Sequence, residues 1–208
     1  WKVEYKFFKT GEAGDYVATL NNDGNTWMTG VSLTKAVAEN VTISEEATSA
    51  PAHNYANVTL TRTLSSKYWN TFSVPFDMEI PTGWTVKEFD SAVDNTLNFK
   101  DATSIVAGKP YLVKPETTVT NPTFNGVIVQ ATEGTTDGEG GYKFAAQIYN
   151  KDLATDGTVA YLATDGKIKK LTSGSIMGLR AYFIVPASGA PARIAFIDGD
   201  EFIFPKNG

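Results

Sequence analysis

Short apolar runs recur along this chain, broken at intervals of roughly ten residues by turn-forming residues, the pattern of a sandwich or barrel. The clearest is Val58–Leu64, where Val58, Leu60, Arg62 and Leu64 alternate with Thr59, Thr61 and Thr63. A period of two predicts a strand with one buried face and one wet face. Comparable runs are Val3–Phe8, Tyr16–Leu20, Trp27–Leu33, Val41–Ser44, Trp69–Phe76, Trp84–Phe89, Thr96–Phe99 and Pro110–Lys114. Gly126–Ala131, Tyr142–Ile148, Thr158–Ala163, Lys167–Leu171, Leu179–Val185, Arg193–Ile197 and Glu201–Phe204 continue the series. Helix signals are poor. Ser32–Glu39 has a serine to cap one or two turns, but its Val and Thr residues oppose them.

These runs predict an all-β fold, an antiparallel β-sandwich of Greek-key or jelly-roll type with little or no helix. The polar stretch Glu45–Asn57, with Pro51, reads as a loop and as the one candidate boundary. Residues 1–44 are then N-terminal strands packed onto a main sandwich of residues 45–208, because so few strands close no core of their own. One internal echo links Gly108-Lys109-Pro110-Tyr111-Leu112-Val113-Lys114-Pro115 with Leu179-Arg180-Ala181-Tyr182-Phe183-Ile184-Val185-Pro186. Both read as core strands with apolar residues on both faces, placed equivalently in two packed sheets.

Composition sharpens this picture. Among 208 residues there are 26 Thr, 18 Gly and 9 Pro, which favours pleated surfaces joined by turns. With no cysteine there is no disulfide framework, thiolate nucleophile or cysteine zinc site. A net charge of −5 with scattered lysines disfavours nucleic acid, which requires a positive field. No apolar run approaches the ~20 residues of a membrane helix, so no membrane insertion is expected. The chain opens at Trp1 without a signal peptide, and is expected to be a processed piece of an exported protein.

Candidate chemistry is sparse. His53, the one histidine, lies in the predicted loop and would need a nucleophile and an orienting acid to act as a base. Leu20–Trp27 nearly matches the hairpin signature Ser-x-Asp-x-Gly-x-Thr-Trp, with Leu20 for Ser and Asn22 for Asp, and is read as a hairpin. Asp198, Asp200 and Glu201 offer hard oxygen ligands for calcium, but Asp198-Gly199 is also a common hairpin turn, the preferred reading. Trp69 is expected in the core. Trp84, after the turn Pro81-Thr82-Gly83, is the best candidate for an exposed ring that stacks on a sugar or protein partner. With 23 acidic residues, no particular pair can be nominated for glycoside hydrolysis. No cofactor is called for.

Several stretches carry a family resemblance: Asn57-Val58-Thr59-Leu60-Thr61-Arg62-Thr63-Leu64, Tyr68-Trp69-Asn70-Thr71-Phe72-Ser73-Val74-Pro75-Phe76-Asp77, and Ala107-Gly108-Lys109-Pro110-Tyr111-Leu112-Val113-Lys114-Pro115. Asn121-Pro122-Thr123-Phe124-Asn125-Gly126-Val127, Gly178-Leu179-Arg180-Ala181-Tyr182-Phe183 and Ala192-Arg193-Ile194 complete the set. From about Val41 onward the chain resembles a β-rich module of secreted and surface proteins of gut-commensal Gram-negative bacteria. Ser73 stands where relatives frequently have a cysteine. The resemblance implies an extracellular or cell-surface location, and brings no catalytic residues. The expected function is a non-catalytic adhesive or ligand-binding module, with a glycan or host protein as partner. The alternatives are a structural stalk or spacer, and a carbohydrate-active enzyme or its accessory module.

Overall fold

The alternation at Val58–Leu64 becomes two strands that break at Arg62, with Val58, Leu60, Arg62 and Leu64 buried while Thr61 and Thr63 face solvent. This computed structural model describes residues 16–22, 28–35, 37–50, 52–130, 132–186, 192–198 and 201–203. They form two compact units, Trp1–Ala38 and Glu39–Gly208. In the first, β1 (Tyr16–Asn22) and β2 (Met28–Lys35) pair antiparallel, ending at Asn22 opposite Met28. That pairing agrees with the hairpin reading of Leu20–Trp27. The turn residues 23–27 and the predicted strand Val3–Phe8 lie outside the described residues. Ser32–Lys35 belong to β2, so no helix starts at Ser32.

In chain order the second unit contains β3 (Glu39–Ser44), β4 (His53–Thr61), β5 (Thr63–Leu64), β6 (Asn70–Phe72), β7 (Trp84–Val93) and β8 (Thr96–Asp101). There follow β9 (Tyr111–Pro115), β10 (Val119–Thr120), β11 (Thr123–Val129), β12 (Thr135–Asp137), β13 (Lys143–Gln147) and β14 (Val159–Leu162). The series ends with β15 (Ile168–Lys170), β16 (Arg180–Ile184), β17 (Arg193–Asp198) and β18 (Glu201–Ile203). One short 3-10 turn, Glu139–Gly141, is the only helical element among the described residues. The fold is all-β, as the pattern predicts.

Its larger sheets run β18-β17-β8-β7-β9-β6, β12-β13-β16-β14-β15 and β11-β4-β3, with β10 and β5 pairing beside them. The six-stranded sheet is covered on both faces. On one side Phe72, Val86, Tyr111 and Val113 pack with Val58, Leu60, Val127 and Val129 of the three-stranded sheet. On the other, Phe89, Leu97, Phe99 and Leu112 pack with Phe144, Ala160, Ala181 and Phe183 of the five-stranded sheet. Alternation along β9 sends Tyr111 and Val113 to one core and Leu112 to the other, which explains its unbroken apolar run. A bulge between Phe89 and Ser91 reverses the parity of β7, so that Phe89 and Ala92 face the same core. Asp94 and Asn95, at φ 47 and 61, make the two-residue turn that brings Thr96 opposite Val93. Phe144 and Phe183 stack with centroids 4.8 Å apart, and Phe99 meets Phe144 edge-on at 5.3 Å.

Three expectations change. β4 begins at His53, inside the predicted loop, because Ala56, Val58 and Leu60 share one buried face. The units divide between Ala38 and Glu39, and β3 pairs in parallel with β4 within the second unit. β17 also runs parallel to its neighbour β8, so the otherwise antiparallel sheets include two parallel pairings. The echo strands do lie in two packed sheets, as β9 and β16. β16, however, buries only Ala181 and Phe183 fully; Arg180, Tyr182 and Ile184 on its other face are half-buried.

Candidate functional site

The outer face of β16 is where the five-stranded sheet stops being plain core. β15 carries a short run of lysines and is followed by the small-residue segment Leu171-Thr172-Ser173-Gly174-Ser175, then by Ile176-Met177-Gly178-Leu179. This β15–β16 connection folds back onto the sheet, where Leu171 and Ile176 join Val159, Tyr161 and Tyr182 in a third apolar cluster. Between the connection and the strands lies a cleft of about 400 Å³. Its lining joins apolar Leu162, Leu171, Ile176 and Met177 with the hydroxyl-bearing Thr71, Tyr161, Ser173 and Ser175, and includes Arg180. The volume falls within the ~300–1,000 Å³ typical of small-ligand sites.

The backbone under the cleft is fixed from several directions. Leu171 N–H donates to Val159 O at 2.7 Å, Gly178 N–H to Glu45 O at 2.7 Å, and Leu179 N–H to Ile148 O at 2.9 Å. The buried Gln147 side chain donates from Nε2 to Ile176 O. Gly178 is required by space: a Cβ there would lie 2.6 Å from Ile148 O and 3.0 Å from Glu45 O. Leu179, fully buried, adopts φ 57. Left-handed backbone costs a non-glycine residue ~1–2 kcal/mol, so neighbouring interactions must hold it there.

Those interactions centre on Arg62. The core-facing alternation of β4 continues through it, and its guanidinium is buried at 3% exposure. Nη1 donates to Leu179 O, and Nη2 to Thr71 O at 2.6 Å. One side chain beside the three-stranded sheet thus ties down β6 of the central sheet and the entry to β16. Nε has no partner. Burial, reinforced by the like charge of Arg180 and partly offset by Glu45 and Tyr68, brings the guanidinium down to about 9, still protonated at neutral pH. Ser73, also buried, donates its hydroxyl to Arg180 O at 2.6 Å. Arg180 itself donates from Nη2 to Glu45 Oε2 at 2.6 Å and keeps about a third of its side chain exposed. The matching basic residue of the echo behaves alike: Lys109 pairs with Glu88.

The residues singled out from sequence lie elsewhere. Trp84 opens β7 and is half-buried in the first core, with Phe72 and Phe124 against it at centroid distances of 5.8 and 6.3 Å. Trp69 precedes β6 and packs on Phe196 at 4.7 Å. His53 starts β4 rather than sitting in a loop, and its Nδ1 lies 2.8 Å from Glu39 Oε2. Among the described residues no hydroxyl hydrogen-bonds to this pair. Asp198 and Glu201 face each other across the β17–β18 hairpin. Asp200 and the side chains of the calcium candidates lie outside the described residues. Sequence reasoning named Arg180 only within the echo and the resemblance stretches, and missed Tyr161, Ser173, Ser175 and Met177. The signal available was a Ser-Gly-Ser segment, Ser173–Ser175, a few residues before a strand that starts on the basic Arg180.

Comparison of the chain with known protein families, with curated proteins and with solved structures finds no match.

Proposed function

We propose that this chain is a non-catalytic binding module of an exported, surface-displayed protein, and that it holds a saccharide in the cleft under the β15–β16 connection. The observation that carries the reading is the combination of apolar floor, hydroxyls and one guanidinium on a pinned backbone. Sugars present C–H faces and hydroxyl edges together, and a site with both an apolar surface and convergent polar groups matches them. The resemblance of the strands to those of surface modules supports the location.

Hydrolysis of a glycoside uses two carboxylates ~5–10 Å apart across the scissile bond. The described lining of the cleft contains neither Asp, Glu nor His. Glu45, the nearby acid, is engaged by Arg180. This supports retention of the sugar over its hydrolysis in this cleft. The test is a glycan array and a host-matrix binding screen with the intact chain and with Tyr161→Ala. Binding by the former and its loss in the latter support the reading; blank results for the intact chain at high concentration contradict it.

One observation favours a spacer instead. The exposed large apolar side chains Val37, Tyr68, Val93, Val106 and Ile128 come from different strands and loops, and a stalk needs no sticky patch. A spacer predicts that Tyr161→Ala changes nothing in any binding assay.

A further inference from the structure

The cleft has a sign. Its lining includes one cation, Arg180, and no anion among the described residues. Behind it stands a second cation, Arg62, whose hydrogen bonds go to backbone carbonyls rather than to a carboxylate. Among the described residues Glu45 is the one acid engaged with this pair, bonded to a single Arg180 nitrogen. Two guanidiniums against one carboxylate leave an excess positive charge at this place in a chain of net charge −5. A guanidinium has five N–H donors in a planar fork. Among the described residues the Arg180 side chain hydrogen-bonds only through Nη2, so its remaining donors are open.

Two further features show a built position. Leu179, directly before Arg180, is held in left-handed backbone by a buried guanidinium at its carbonyl. The Arg180 carbonyl is fixed by the buried Ser73 hydroxyl. Strained backbone persists only where its surroundings over-determine it, and such residues concentrate at functional sites. Planar guanidinium donors match carboxylate geometry, a match that an ammonium lacks.

Resting on the saccharide reading above, we propose that the ligand is an acidic sugar, its carboxylate received by the open N–H groups of Arg180 and its hydroxyls by Ser173, Ser175 and Thr71. The ring lies over the apolar floor made by Leu171, Ile176 and Met177.

Calorimetric titration at fixed ionic strength tests this with three probes: tri-galacturonate, its methyl ester (the same sugar without charge) and acetate. The acid is expected to bind at least roughly tenfold more tightly than the ester or acetate, as a charge-assisted contact predicts. Arg180→Gln brings the acid down to the level of the ester, with a loss of affinity for the acid far larger than any loss for the ester. Arg180→Lys falls between, because the charge stays and the fork is lost. Glu45→Gln, which removes the competing carboxylate, tightens the acid, a gain that damage to the fold would not produce. Raising salt weakens the acid and not the ester.

Equal binding of acid and ester, or indifference of the acid to Arg180→Gln, overturns the acidic-ligand inference and leaves the saccharide reading standing. Acetate matching the acid also overturns it, reducing the site to an anion hole. Failure of both sugars overturns the saccharide reading itself.

Discussion

Adding a single methyl group at Gly178 tests whether the cleft is as tightly anchored as its hydrogen bonds indicate. A Cβ at this position meets Ile148 O at 2.6 Å, Glu45 O at 3.0 Å and Asn150 N at 3.1 Å, all backbone atoms that no rotamer change can move. Overpacking of this kind costs about 1–3 kcal/mol. Relief requires separating the strand entry from two segments, which strains Gly178 N–H to Glu45 O and Leu179 N–H to Ile148 O. Each such bond contributes a net ~0.5–1.5 kcal/mol. Gly178→Ala should therefore destabilise by about 3 kcal/mol. At ~2–4 °C per kcal/mol for a chain of this size, Tm falls by about 6–12 °C. Gly174→Ala is the control. No atom lies within 4 Å of its Cβ, and only its φ of +78 opposes the substitution, at about 1 kcal/mol. Urea and thermal unfolding of both variants beside the parent chain measure the difference. A Gly178→Ala variant no less stable than Gly174→Ala would refute the reasoning, since it would mean that the connection does not press on Ile148 and Glu45.

Two other predictions concern single side chains. Arg62→Ala leaves Leu179 O and Thr71 O without the guanidinium and opens a space among buried groups; at about 1–3 kcal/mol per buried unsatisfied group plus the lost packing, urea denaturation should show a loss of about 3–5 kcal/mol. Asp156 accepts from the Thr158 hydroxyl at 2.5 Å and from its N–H at 2.9 Å, and these bonds lower the carboxyl pKa. A depressed folded pKa means that this turn contributes stability above the ordinary aspartate range and loses it as pH falls through the folded value. An NMR carboxyl titration should find Asp156 below the ordinary aspartate value, and Thr158→Val should move it back up.

Much of the fold is legible in local pattern because it follows from parity. Val58, Leu60, Arg62 and Leu64 declare one face of a strand, and the structure buries all four. The Asn-rich stretch after Leu20 declares a hairpin, and Asn22 meets Met28 across it. Parallel pairing has no such local sign. β3 and β4 align only because the crossover between them returns to the same end of the sheet, and that same crossover supplies Glu45 as the partner of Arg180 and of Gly178 N–H. The start of β4 was obscured for a related reason: His53, Tyr55 and Asn57 look like loop residues until the burial of Ala56 and Val58, which alternate with them, is known. The cleft is the least legible part. Ser173, Gly174 and Ser175 read as an ordinary linker, and they acquire meaning only when Gln147, Glu45 and Ile148, distant in sequence, fix the residues that follow. Trp84 shows the converse. Its turn suggests exposure, but Phe72 and Phe124 come from other strands to cover it.

The most direct test of the central claim is amide chemical-shift mapping on isotope-labelled protein titrated with tri-galacturonate. The account predicts that the perturbed amides gather at Tyr161, Leu162 and residues 171–181, and that in Arg180→Gln the same amides saturate only at roughly tenfold higher ligand concentration. Perturbations confined to other surfaces, such as the Trp84 turn, or no saturable perturbation at all, would contradict it.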